Sequence, residues 1–566
     1  MNQPVNSRNG GQILVDALRI NGVERAFCVP GESYLAVLDA LYDVQDEIDL
    51  VVCRQEGGAA YMAEAYGKLT GKAGICFVTR GPGACNASIG VHTALQDSTP
   101  MILFIGQVAR DQMEREAFQE IDFRTMFAPL AKWVVQIDDA RRIPELVSQA
   151  FHRALNGRPG PVVVALPEDM LSDVVEVADA GPARVVEAHA GAADMHALRQ
   201  LLQRAERPLM IVGGGGWNAR AVEDIRRFAE RHDLPVAASF RCQDLFDNRL
   251  PNYAGDLGFA AGPKLVQAVR DSDLLIVAGS RLGEVSSGGY TSLEIPVPKQ
   301  ALVHVHPGIE ELGRVYQPTL AINSSMSAFA ALAAELPESD GNRYANWTKA
   351  LNGNYRENLK CEASPGAVQM AEIMAWLQDK LPADAILTNG AGNYCIWLQR
   401  FYQYRQFRTQ LGPTNGSMGY GVPAGVAAKL TYPERMVVAF SGDGCFLMNG
   451  QEIATAANYA ANVIFIVVNN GMYGTIRMHQ ERNYPGRVSG TDLHNPDFAA
   501  LARAHGLHGE TVECTAAFGP AFERCSSAGK PSLIEIRLDP EALTPRLSLS
   551  QIRLEAQSRR RASAKP

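Results

Sequence analysis

The sequence predicts an α/β protein built from three doubly wound parallel-sheet domains. Its 566 residues suffice for roughly three to four domains of ordinary size. Apolar runs of four to six residues alternate with amphipathic stretches of ten or more, which is typical of βα units around parallel sheets. A strand followed by a glycine turn at residues 75–83 recurs at residues 437–444. The first and last domains are therefore predicted to be copies of one fold.

The predicted domains are residues 1–175, 190–336 and 365–545. Residues 176–193, rich in Ala, Gly and Asp, are predicted to link the first two, and residues 337–364 form a polar connection to the third. Residues 546–566 form a basic tail, of which we expect residues 553–566 to be solvated rather than ordered. The apolar runs predict strands at residues 50–53, 75–79, 101–105, 161–165, 209–212, 274–278, 302–305, 385–388 and 463–466.

The repeat is defined by a constant spacing. In both copies the next apolar strand begins 21 residues after the first glycine of the turn (102 − 81 = 463 − 442). Unrelated βα units can share such a spacing, so chance similarity is the alternative interpretation. The copies differ in the residue between the two glycines, which is Pro82 in the first and Asp443 in the second.

Composition excludes several classes of protein. Hydrophobic residues make up 46% and charged residues 20%, so ordinary cores can form and wholesale disorder is excluded. The net charge is -8 and no long basic stripe is present, which argues against nucleic acid as a partner. The apolar runs are far shorter than the roughly 20 residues that cross a bilayer, so no membrane partner is expected.

The cysteines and the start of the chain indicate a cytoplasmic location. The ten cysteines include no CxxC pair and lie mostly in apolar runs, which suits buried thiols better than disulfides or a zinc site. Residues 1–11 are polar and lack the apolar core of an export signal. We therefore expect a reducing compartment and a small-molecule enzyme.

The third domain carries a predicted metal and phosphate site. Asp443 follows one strand and Asn470 follows the next, 27 residues later (470 − 443). Consecutive parallel strands place their following loops at the same carboxyl edge of the sheet, so the two side chains can meet. A carboxylate, an amide oxygen and a backbone carbonyl from the turn at residues 471–472 suit Mg²⁺, which takes its other ligands from phosphates and water. The glycines beside Asp443 would let a phosphate approach the start of the next helix.

The Gly-Asp-Gly turn and the Asn-Asn pair at this spacing resemble the cofactor motif of thiamine diphosphate enzymes. The whole chain, over about residues 11 to 545, resembles the superfamily of acetolactate synthases, 2-oxo acid decarboxylases and pyruvate oxidases. The resemblance implies a pyrimidine-binding, a central and a diphosphate-binding domain in that order, with thiamine diphosphate and Mg²⁺ as cofactors. It assigns Mg²⁺ to Asp443, Asn470 and the carbonyl of Met472. It assigns neighbouring positions to the cofactor, namely Gly442, Gly444, Cys445, Tyr473 and Gly474.

Glu56 is the predicted catalytic acid–base residue of the first domain. It opens a helix after a strand, and by itself it could simply be a carboxylate favoured by the helix dipole. The segment at residues 54–60 resembles the family's R-x-E-x-x-A motif, whose glutamate bonds the aminopyrimidine ring and promotes deprotonation of the thiazolium carbon. The segment Thr79-Arg80-Gly81-Pro82-Gly83-Ala84-Cys85-Asn86 resembles the family's turn beside the same ring, which implies cofactor contacts for Thr79, Gly81 and Asn86.

Two further segments of the third domain resemble cofactor loops. Residues 415–421 resemble the segment that supports the bent shape of the cofactor, which implies that Met418 wedges between its two rings and that Gly416 lies beside it. A core methionine is the alternative. Residues 390–394 match a phosphate-contacting loop and imply contacts for Gly392, Asn393 and Tyr394, although the family's synthases usually have Gln-His there.

The central domain contains four consecutive glycines, residues 213–216, after a strand. This is a weak sign of dinucleotide binding, because a glycine loop can also form a tight turn. The stretch at residues 281–288 departs from the R-F-x-D-R-x-T-G-like stretch of the flavin-containing synthases. FAD is therefore not expected.

Five residues are assigned to the substrate pocket by resemblance. Phe118-Gln119-Glu120 resembles the acetolactate synthase segment that faces the second oxo acid, and an ordinary helix start is the alternative. Lys132 lies where that family has a channel lysine, and Gly31 is placed in the same pocket. His479 replaces the tryptophan found nine residues after the double asparagine in biosynthetic synthases, so the pocket is expected to be more open and more polar, unless His479 lies on a surface turn.

The resemblance implies decarboxylation of a 2-oxo acid such as pyruvate, followed by carboligation to a second carbonyl. Cleavage of a 2-hydroxyacyl compound and non-oxidative decarboxylation use the same cofactor and remain alternatives. A remote alternative is a nucleotide-binding or partner subunit without catalysis. The family places the cofactor between the first domain of one subunit and the third domain of its neighbour, which implies a homodimer or homotetramer.

Overall fold

The computed structural model describes residues 7–338, 343–360 and 362–563. The chain divides into two compact units, Met1–Ala188 and His189–Pro566. The boundary lies within the predicted linker, which is irregular between residues 177 and 191. Among the described residues, no helix has the length and apolar character required to cross a bilayer.

The first unit is one doubly wound domain. Its strands are β1 (Ser7–Asn9), β2 (Arg25–Cys28), β3 (Asp49–Val52), β4 (Gly74–Val78), β5 (Met101–Gln107), β6 (Trp133–Gln136), β7 (Pro161–Pro167) and β8 (Val174–Glu176). Its helices are α1 (Gly10–Ile20), α2 (Leu35–Tyr42), α3 (Glu56–Thr70), α4 (Gly81–Asp97), α5 (Phe123–Phe127) and α6 (Ile143–Leu155). Six parallel strands form a sheet in the order β3-β2-β4-β5-β7-β6, and β1 pairs antiparallel with β8.

Helices cover both faces of this sheet because its central strands carry apolar side chains on both faces. All residues of β4, β5 and β7 are buried, as expected for a parallel sheet covered on both faces. The core includes residues of α1, α2 and α6 packed on the sheet. Helices α3 and α4 pack closely on each other through small residues, since a Cβ at Gly90 would lie only 2.4 Å from Cβ of Ala60.

The central domain begins the second unit. Its strands are β9 (Pro208–Val212), β10 (Val236–Ser239), β11 (Tyr253–Leu257), β12 (Leu274–Ala278), β13 (Ala301–His306) and β14 (Leu320–Asn323). Its helices are α7 (Ala192–Arg204), α8 (Ala219–Arg231), α9 (Pro263–Asp271), α10 (Met326–Ala334) and α11 (Ala345–Asn358). The parallel sheet has the order β11-β10-β9-β12-β13-β14, which reverses direction at β9, and separate apolar cores contain alternate residues of its strands.

The third domain has its own six-stranded sheet. The strands are β15 (Ile386–Asn389), β16 (Gln410–Leu411), β17 (Val437–Gly442), β18 (Ile464–Asn469), β19 (His508–Val512) and β20 (Ser532–Arg537). The helices are α12 (Met370–Lys380), α13 (Tyr394–Phe401), α14 (Gly421–Thr431), α15 (Asp443–Asn449), α16 (Ile453–Asn458), α17 (Gly474–Asn483), α18 (Phe498–Ala504), α19 (Thr515–Ser527) and α20 (Leu549–Ser563).

The predicted duplication is confirmed by sheet topology. The third sheet has the order β16-β15-β17-β18-β20-β19, and the first has β3-β2-β4-β5-β7-β6. Counted along each domain, both read second, first, third, fourth, sixth, fifth. The glycine turns after β4 and β17 therefore occupy equivalent places, each at the carboxyl end of the third strand. The predicted three-domain α/β architecture is also confirmed.

Two segments differ from the sequence-based expectation. The polar connection contains α11, which packs on the central domain with Tyr344, Leu351 and Tyr355 buried. Its polar side chains donate to backbone carbonyls of that domain: Asn352, for example, donates to Leu250 and Tyr253. These long-range contacts have no local sequence signal.

The tail forms a helix, so the expectation that residues 553–566 are solvated rather than ordered was wrong about their order, although most of the described residues from 553 on are exposed. Helix α20 buries Leu549, Ile552 and Ala556. Its Arg553 donates two hydrogen bonds, of 2.8 and 2.7 Å, to the carboxylate of Glu481 on α17. The charged segment therefore forms an amphipathic helix with one partly buried ion pair.

Candidate functional site

The first unit brings its predicted site residues to the carboxyl edge of its sheet. Glu56 is the first residue of α3, and Gln55 caps this helix by accepting the Gly58 N–H at 3.1 Å. Asn86 of α4 donates from Nδ2 to Oε2 of Glu56 at 2.8 Å. The other carboxylate oxygen faces the glycine turn, because a Cβ at Gly83 would lie 3.6 Å from Oε1. Asn86 thus fixes Oε2 of Glu56, and Oε1 faces the glycine turn.

Thr79 and Gly31 lie at the same edge. The hydroxyl of Thr79 is 2.8 Å from that of Ser33, and the backbone at Gly31 runs directly against the Thr79 side chain. Gly81 starts α4, and its N–H donates to the carbonyl of Gln119 at 2.9 Å. The strand ends and the glycine turn therefore gather Gly31, Glu56, Thr79, Gly81 and Asn86 in one place, as expected for a parallel sheet.

The segment with Phe118 and Gln119 is a loop rather than a helix start. Gln119 has a φ of 67°, and Glu120 closes the loop by accepting the N–H groups of Glu114 and Ala117. Phe118 is 72% exposed, while Arg80, whose guanidinium pairs with Glu168, lies next to the Phe118 carbonyl. The structure therefore brings Gln119 to the site edge and leaves the Phe118 ring on the surface of the chain.

Lys132 does not join this group. Its N–H donates to the carbonyl of Pro161, the first residue of β7, which is the amino edge of the sheet. Its ammonium group donates to the carbonyls of Arg153 and Asn156 at the end of α6, where a cation is favoured by unpaired carbonyls. Within the first unit, Lys132 thus lies at the amino edge of the sheet, away from the gathered site residues, and its place in the substrate pocket stays a prediction.

Asp443 is the centre of the predicted site in the third domain. It is the first residue of α15 and is 3% exposed. Its Oδ1 accepts the Gly444 N–H at 2.9 Å, and its Oδ2 accepts a bond of 2.8 Å from the amide of Asn495. Burial raises the pKa of this carboxyl, and the donors around it oppose that effect.

Asn470 and Met472 lie at the same edge as Asp443. Strands β17 and β18 are neighbours, with Gly442 level with Val468, so Asp443 and Asn470 each lie just beyond the paired ends. Met472 forms an antiparallel bridge with Asp492, flanked by bonds from Tyr473 to Thr491 and from Leu493 to Gly471. In that pattern both the N–H and the carbonyl of Met472 point away from the strand that contains Asp492. The Met472 N–H donates toward Asp443 and is one of the donors that lower the pKa of that carboxyl. Its carbonyl therefore also faces the Asp443 side.

Sequence reasoning missed Asn495. Its amide nitrogen donates to Asp443 and also to Oδ1 of Asn469, at 2.8 and 2.9 Å. Asn469 in turn donates to the buried Glu535 of β20 at 2.8 Å. The two asparagines of the pair thus differ in role. Asn469 anchors the loop to the sheet through Glu535, and Asn470 lies just beyond the end of β18, where the metal site is predicted. Asn495 lies 25 residues after Asn470 in a loop, where no motif marks it.

The loop at residues 390–394 is held from inside the core. The hydroxyl of Tyr394 accepts the Gly390 N–H at 2.9 Å and donates to the Phe440 carbonyl at 3.4 Å. Its ring packs beside Gly442, where a Cβ would lie 3.0 Å away. Tyr394 is thus a buried residue that supports this loop, and its direct contact with the cofactor stays a prediction. Gly392 is at the turn of this loop, with a φ of 145°.

The Cys445 side chain, at the start of α15, contacts both of the other predicted cofactor loops of this domain. Its sulfur accepts the Gly419 N–H at 3.2 Å, lies 3.5 Å from the Tyr394 hydroxyl and packs against Gly390. The side chain of Cys445 is therefore structural, and its backbone in the first turn of α15 is the part that can meet an anion. In the adjoining loop, Met418 is partly buried against the core, and Gly416 takes a φ of 70°.

Helix α17 begins directly after the loop with Asn470. Tyr473 precedes the helix, and its ring packs on Gly444 so closely that a Cβ there would lie 2.5 Å from Cε1. Gly474, the first helical residue, lies beside the Asn470 amide. Asn393 uses both ends of its side chain toward α17, accepting from Thr475 at 2.9 Å and contacting the Met478 sulfur at 3.7 Å. Glycine at 444 thus accommodates a tyrosine ring.

His479 lies on α17 with its ring exposed. Partial burial and the neighbouring Arg482 lower its pKa. Its buried neighbour Met478, not His479, contacts Asn393. The structure of the unit does not bring His479 against the predicted cofactor loops, and its role in the pocket stays a prediction.

The donor set fits a magnesium diphosphate. Within the described residues, no group of three or more His, Cys, Asp or Glu side chains could hold a metal ion. Asp443 instead stands with an amide oxygen and a carbonyl, the hard oxygen set of an ion that takes further ligands from phosphate and water. Asp443 is also the first residue of α15, so the free N–H groups of that helix turn are available to a phosphate beside the metal. In the central domain, packing alone explains glycine at position 213, because a Cβ there would lie 1.8 Å from the Ser239 hydroxyl.

Comparison with known proteins yields three family matches, all to thiamine pyrophosphate (thiamine diphosphate) enzymes. Residues 8–126 match the N-terminal TPP binding domain, residues 195–333 the central domain, and residues 390–536 the C-terminal TPP binding domain.

Individual relatives are similar over most of the chain. The acetolactate synthase large subunit of Parasynechococcus marenigrum (strain WH8102) is 34% identical over 89% of this chain and 83% of its own. The acetolactate synthase isozyme 2 large subunit of Escherichia coli (strain K12) is 31% identical over 94% and 96%. The large subunit from Corynebacterium glutamicum is 30% identical over 94% and 87%. The chain therefore belongs to the thiamine pyrophosphate enzyme family, with the acetolactate synthase large subunits among its relatives, and is a thiamine pyrophosphate-dependent enzyme.

Proposed function

We propose that the chain decarboxylates a 2-oxo acid, such as pyruvate, and joins the remaining acyl unit to a second carbonyl compound, as an acetolactate synthase does. The observation that carries the proposal is the buried Asp443 at a parallel-strand edge shared with Asn470 and the Met472 carbonyl. The relatives named as acetolactate synthases support the choice of reaction.

Mg²⁺ would be held by Asp443, Asn470 and the Met472 carbonyl. Asn495 orients the Asp443 carboxylate, and Asn469 and Glu535 fix the loop behind it. The N–H groups of the first turn of α15 would receive the diphosphate. Glycine at positions 442 and 444 leaves room for the rings of Tyr394 and Tyr473, which pack beside this turn. Thiamine diphosphate supplies, when bound, the electron sink for decarboxylation.

Glu56 would exchange a proton with the aminopyrimidine ring through its carboxylate. Asn86 already holds Oε2, so Oε1, beside the glycine turn, is the oxygen available to the ring. A carboxylate in this position works as a general acid and base only while its orientation is fixed. Asn86 provides that orientation, and Gln119 and Thr79 lie at the same edge to receive substrate or cofactor.

We propose a homodimer or homotetramer. The first and third domains each carry half of the predicted site, and the resemblance assigns these halves to different subunits. Large apolar side chains are exposed near both: Ile89 (42%) and Phe118 (72%) in the first domain, and Leu447 (49%), Met448 (46%) and Ile476 (54%) in the third. Exposed apolar groups of this kind are typical of subunit interfaces. A second copy of the chain is the occupant we expect.

We also expect the enzyme to act in the cytoplasm. All nine cysteines within the described residues are free thiols, most of them buried, which suits a reducing compartment.

The direct test is a panel of 2-oxo acids incubated with the purified chain, Mg²⁺ and thiamine diphosphate. Carbon dioxide and acyloin or acetohydroxy acid products should appear together. Both should disappear without the cofactor, and both should form at least about 10²-fold more slowly in Glu56→Gln. Carbon dioxide with a free aldehyde would support the decarboxylase alternative instead. Cleavage of a 2-hydroxyacyl compound would support the lyase. Absence of all three reactions would leave only a binding subunit.

A further inference from the structure

A segment of the central domain, residues 240–248 after β10, packs against the edge of the third sheet. Strand β16 is the edge strand there. The backbone N–H groups of Thr409 and Gln410 donate to Oδ2 of Asp244 at 3.1 and 3.2 Å. The Gln243 N–H donates to Oε1 of Gln410 at 2.7 Å, and its side-chain oxygen accepts from Nε2 of Gln410 at 3.1 Å. The central domain therefore supplies the hydrogen-bond partners that an edge strand lacks.

Arg241 is the buried cation of this segment. It is 7% exposed, and its guanidinium donates to the carbonyl of Gly390 at 2.7 Å and to the carbonyl of Pro413. Its φ of 61° is unfavourable for a residue with a side chain and persists only where the surrounding structure fixes it. The loops at residues 390–394 and 415–421, which the resemblance assigns to the cofactor, begin at or just after these two carbonyls. Arg241 thus contacts the backbone leading into both loops.

The Gly390 carbonyl is held by three donors. Besides Arg241, it accepts from the Asn389 amide at 2.9 Å and from the Cys395 thiol at 3.4 Å. In a trans peptide the C=O and the following N–H point in opposite directions, so the Ala391 N–H faces away from the guanidinium. Within the described residues no acceptor bonds that N–H. An amide fixed in this way is suited to a phosphate oxygen, and the cation on the carbonyl makes it a stronger donor.

The charge of Arg241 is not neutralised. In the part of the chain that the structure describes, no carboxylate pairs with it, and its Nε has no hydrogen-bond partner. Asp244, on the same segment, bonds the N–H groups at β16 instead. Asp256 lies close enough to sense this charge, but burial raises the pKa of Asp256 to about 8, so it is mostly protonated at pH 7. Burial also raises the pKa of the Cys395 thiol to about 11, so this neighbour is neutral as well.

We propose that Arg241 is a positioning residue for the diphosphate of the cofactor. It fixes the peptide groups after Gly390 and Pro413 and adds an unpaired positive charge beside the loops that would receive the diphosphate. The inference rests on the proposed cofactor contacts of these loops. It gives the central domain a part in cofactor binding that no motif of that domain indicates.

The test is titration calorimetry on the full chain freed of cofactor, at saturating Mg²⁺. The neutral variants Arg241→Gln and Arg241→Met should each weaken binding of thiamine diphosphate by about ten-fold or more, because charge-assisted hydrogen bonds are lost. Magnesium pyrophosphate carries only the diphosphate part, and its affinity, measured by competition, should fall by the same factor. Arg241→Lys keeps the charge and should bind within about three-fold of the unmodified chain.

Gln243→Met is the matched control for packing between the two domains. It removes the side-chain bonds to Gln410 and to the Gln399 carbonyl without changing the charge. The affinities for thiamine diphosphate and for pyrophosphate should therefore be those of the unmodified chain. Denaturant unfolding shows which variants are folded, and either folded neutral variant of Arg241 is enough to decide the test.

Three results would overturn the proposal. They are a folded neutral variant that binds thiamine diphosphate as tightly as the unmodified chain, an Arg241→Lys variant as weak as the neutral ones, and a loss of the same size in Gln243→Met. Asp443→Ala tests the proposed site itself, because unchanged cofactor affinity in that variant would refute the site and this inference with it. Loss of affinity in Asp443→Ala with unchanged affinity in the neutral Arg241 variants would refute only the role of Arg241.

Discussion

Asn86 donates a 2.8 Å hydrogen bond to one carboxylate oxygen of Glu56. The two residues are 30 positions apart, Glu56 at the start of α3 and Asn86 in the second turn of α4. The two helices pack tightly because small residues face each other. The bond fixes the direction of the carboxylate before any cofactor arrives. Preorganisation of this kind is what an acid–base residue needs to act on a bound ring.

Glu56→Gln should leave cofactor affinity nearly unchanged and lower turnover by about 10²- to 10⁴-fold, because the amide keeps the shape and loses proton exchange. Asn86→Ala should lower turnover less and leave Glu56 able to act. The measurements are turnover at saturating cofactor and cofactor affinity from fluorescence titration. Glu24→Gln, which alters only a surface pair with Lys72, is the control. Wild-type turnover in Glu56→Gln would show that Glu56 is not the acid–base residue.

Asn495→Ala should weaken Mg²⁺ and cofactor binding by about 10- to 100-fold, because it removes the donor that orients Asp443. Asp443→Ala should be more severe, since it removes a ligand. The apparent dissociation constant of Mg²⁺ at fixed cofactor measures both effects. Asn458→Ala, an exposed asparagine of α16, provides the control. An unchanged Mg²⁺ affinity in Asn495→Ala would contradict the positioning role.

Dissociation of the subunits should abolish activity, because each chain is expected to complete its site with a neighbour. Sedimentation velocity at assay concentration should show a dimer or a tetramer. Met448→Glu should shift the chain toward monomer and lower activity in parallel, whereas Leu554→Glu, at an exposed residue of α20, should not. Full activity in a species that sediments as a monomer would refute the assembly.

Glu481→Gln should destabilise the chain by about 1–2 kcal/mol near neutral pH, because it removes the buried carboxylate that pairs with the partly exposed Arg553. The hydrogen bonds from Arg553 lower the pKa of Glu481 from 4.5 to about 2. The stabilisation is therefore fully present above about pH 4.5 and is lost as the pH falls toward 2. Denaturant unfolding at pH 7 and pH 3 measures the free energy of unfolding of both forms. Glu555→Gln, at an exposed residue of α20, the helix that carries Arg553, is the control. An equal difference at both pH values would contradict the assignment.

His479→Trp should narrow the range of acceptor carbonyl compounds, because an indole fills space that an imidazole leaves open. Unmodified protein should give detectable but modest self-condensation of pyruvate. Product profiles with pyruvate and a second 2-oxo acid or aldehyde measure the change. His494→Trp, at a histidine outside α17, is the comparison. If the profile does not respond to His479→Trp, this residue lies outside the assembled pocket.

Local signals explain which parts of the site were predictable. Strand periodicity and short spacing located the Gly-Asp-Gly turn and the double asparagine. The segment around Glu56 also follows a strand, but its role was assigned by the family resemblance. Asn495 and Glu535 act through hydrogen bonds from a loop and from a strand that enters the sheet later in the chain. No spacing rule connects them to Asp443. The same holds for Lys132, whose place at the amino edge depends on where α6 ends.

The sequence by itself determined the three-domain α/β architecture and the duplication, because parallel strands, glycine turns and helix starts produce local periodicity. The family resemblance, and not periodicity, assigned most of the cofactor residues. Only the tertiary structure decided how Asn469 and Asn470 divide their tasks, that Tyr394 and Cys445 serve the core, and that the basic tail forms α20. Each of these depends on contacts between segments far apart in the chain. The free energy of such contacts comes from packing and pairing in three dimensions, which no local pattern encodes.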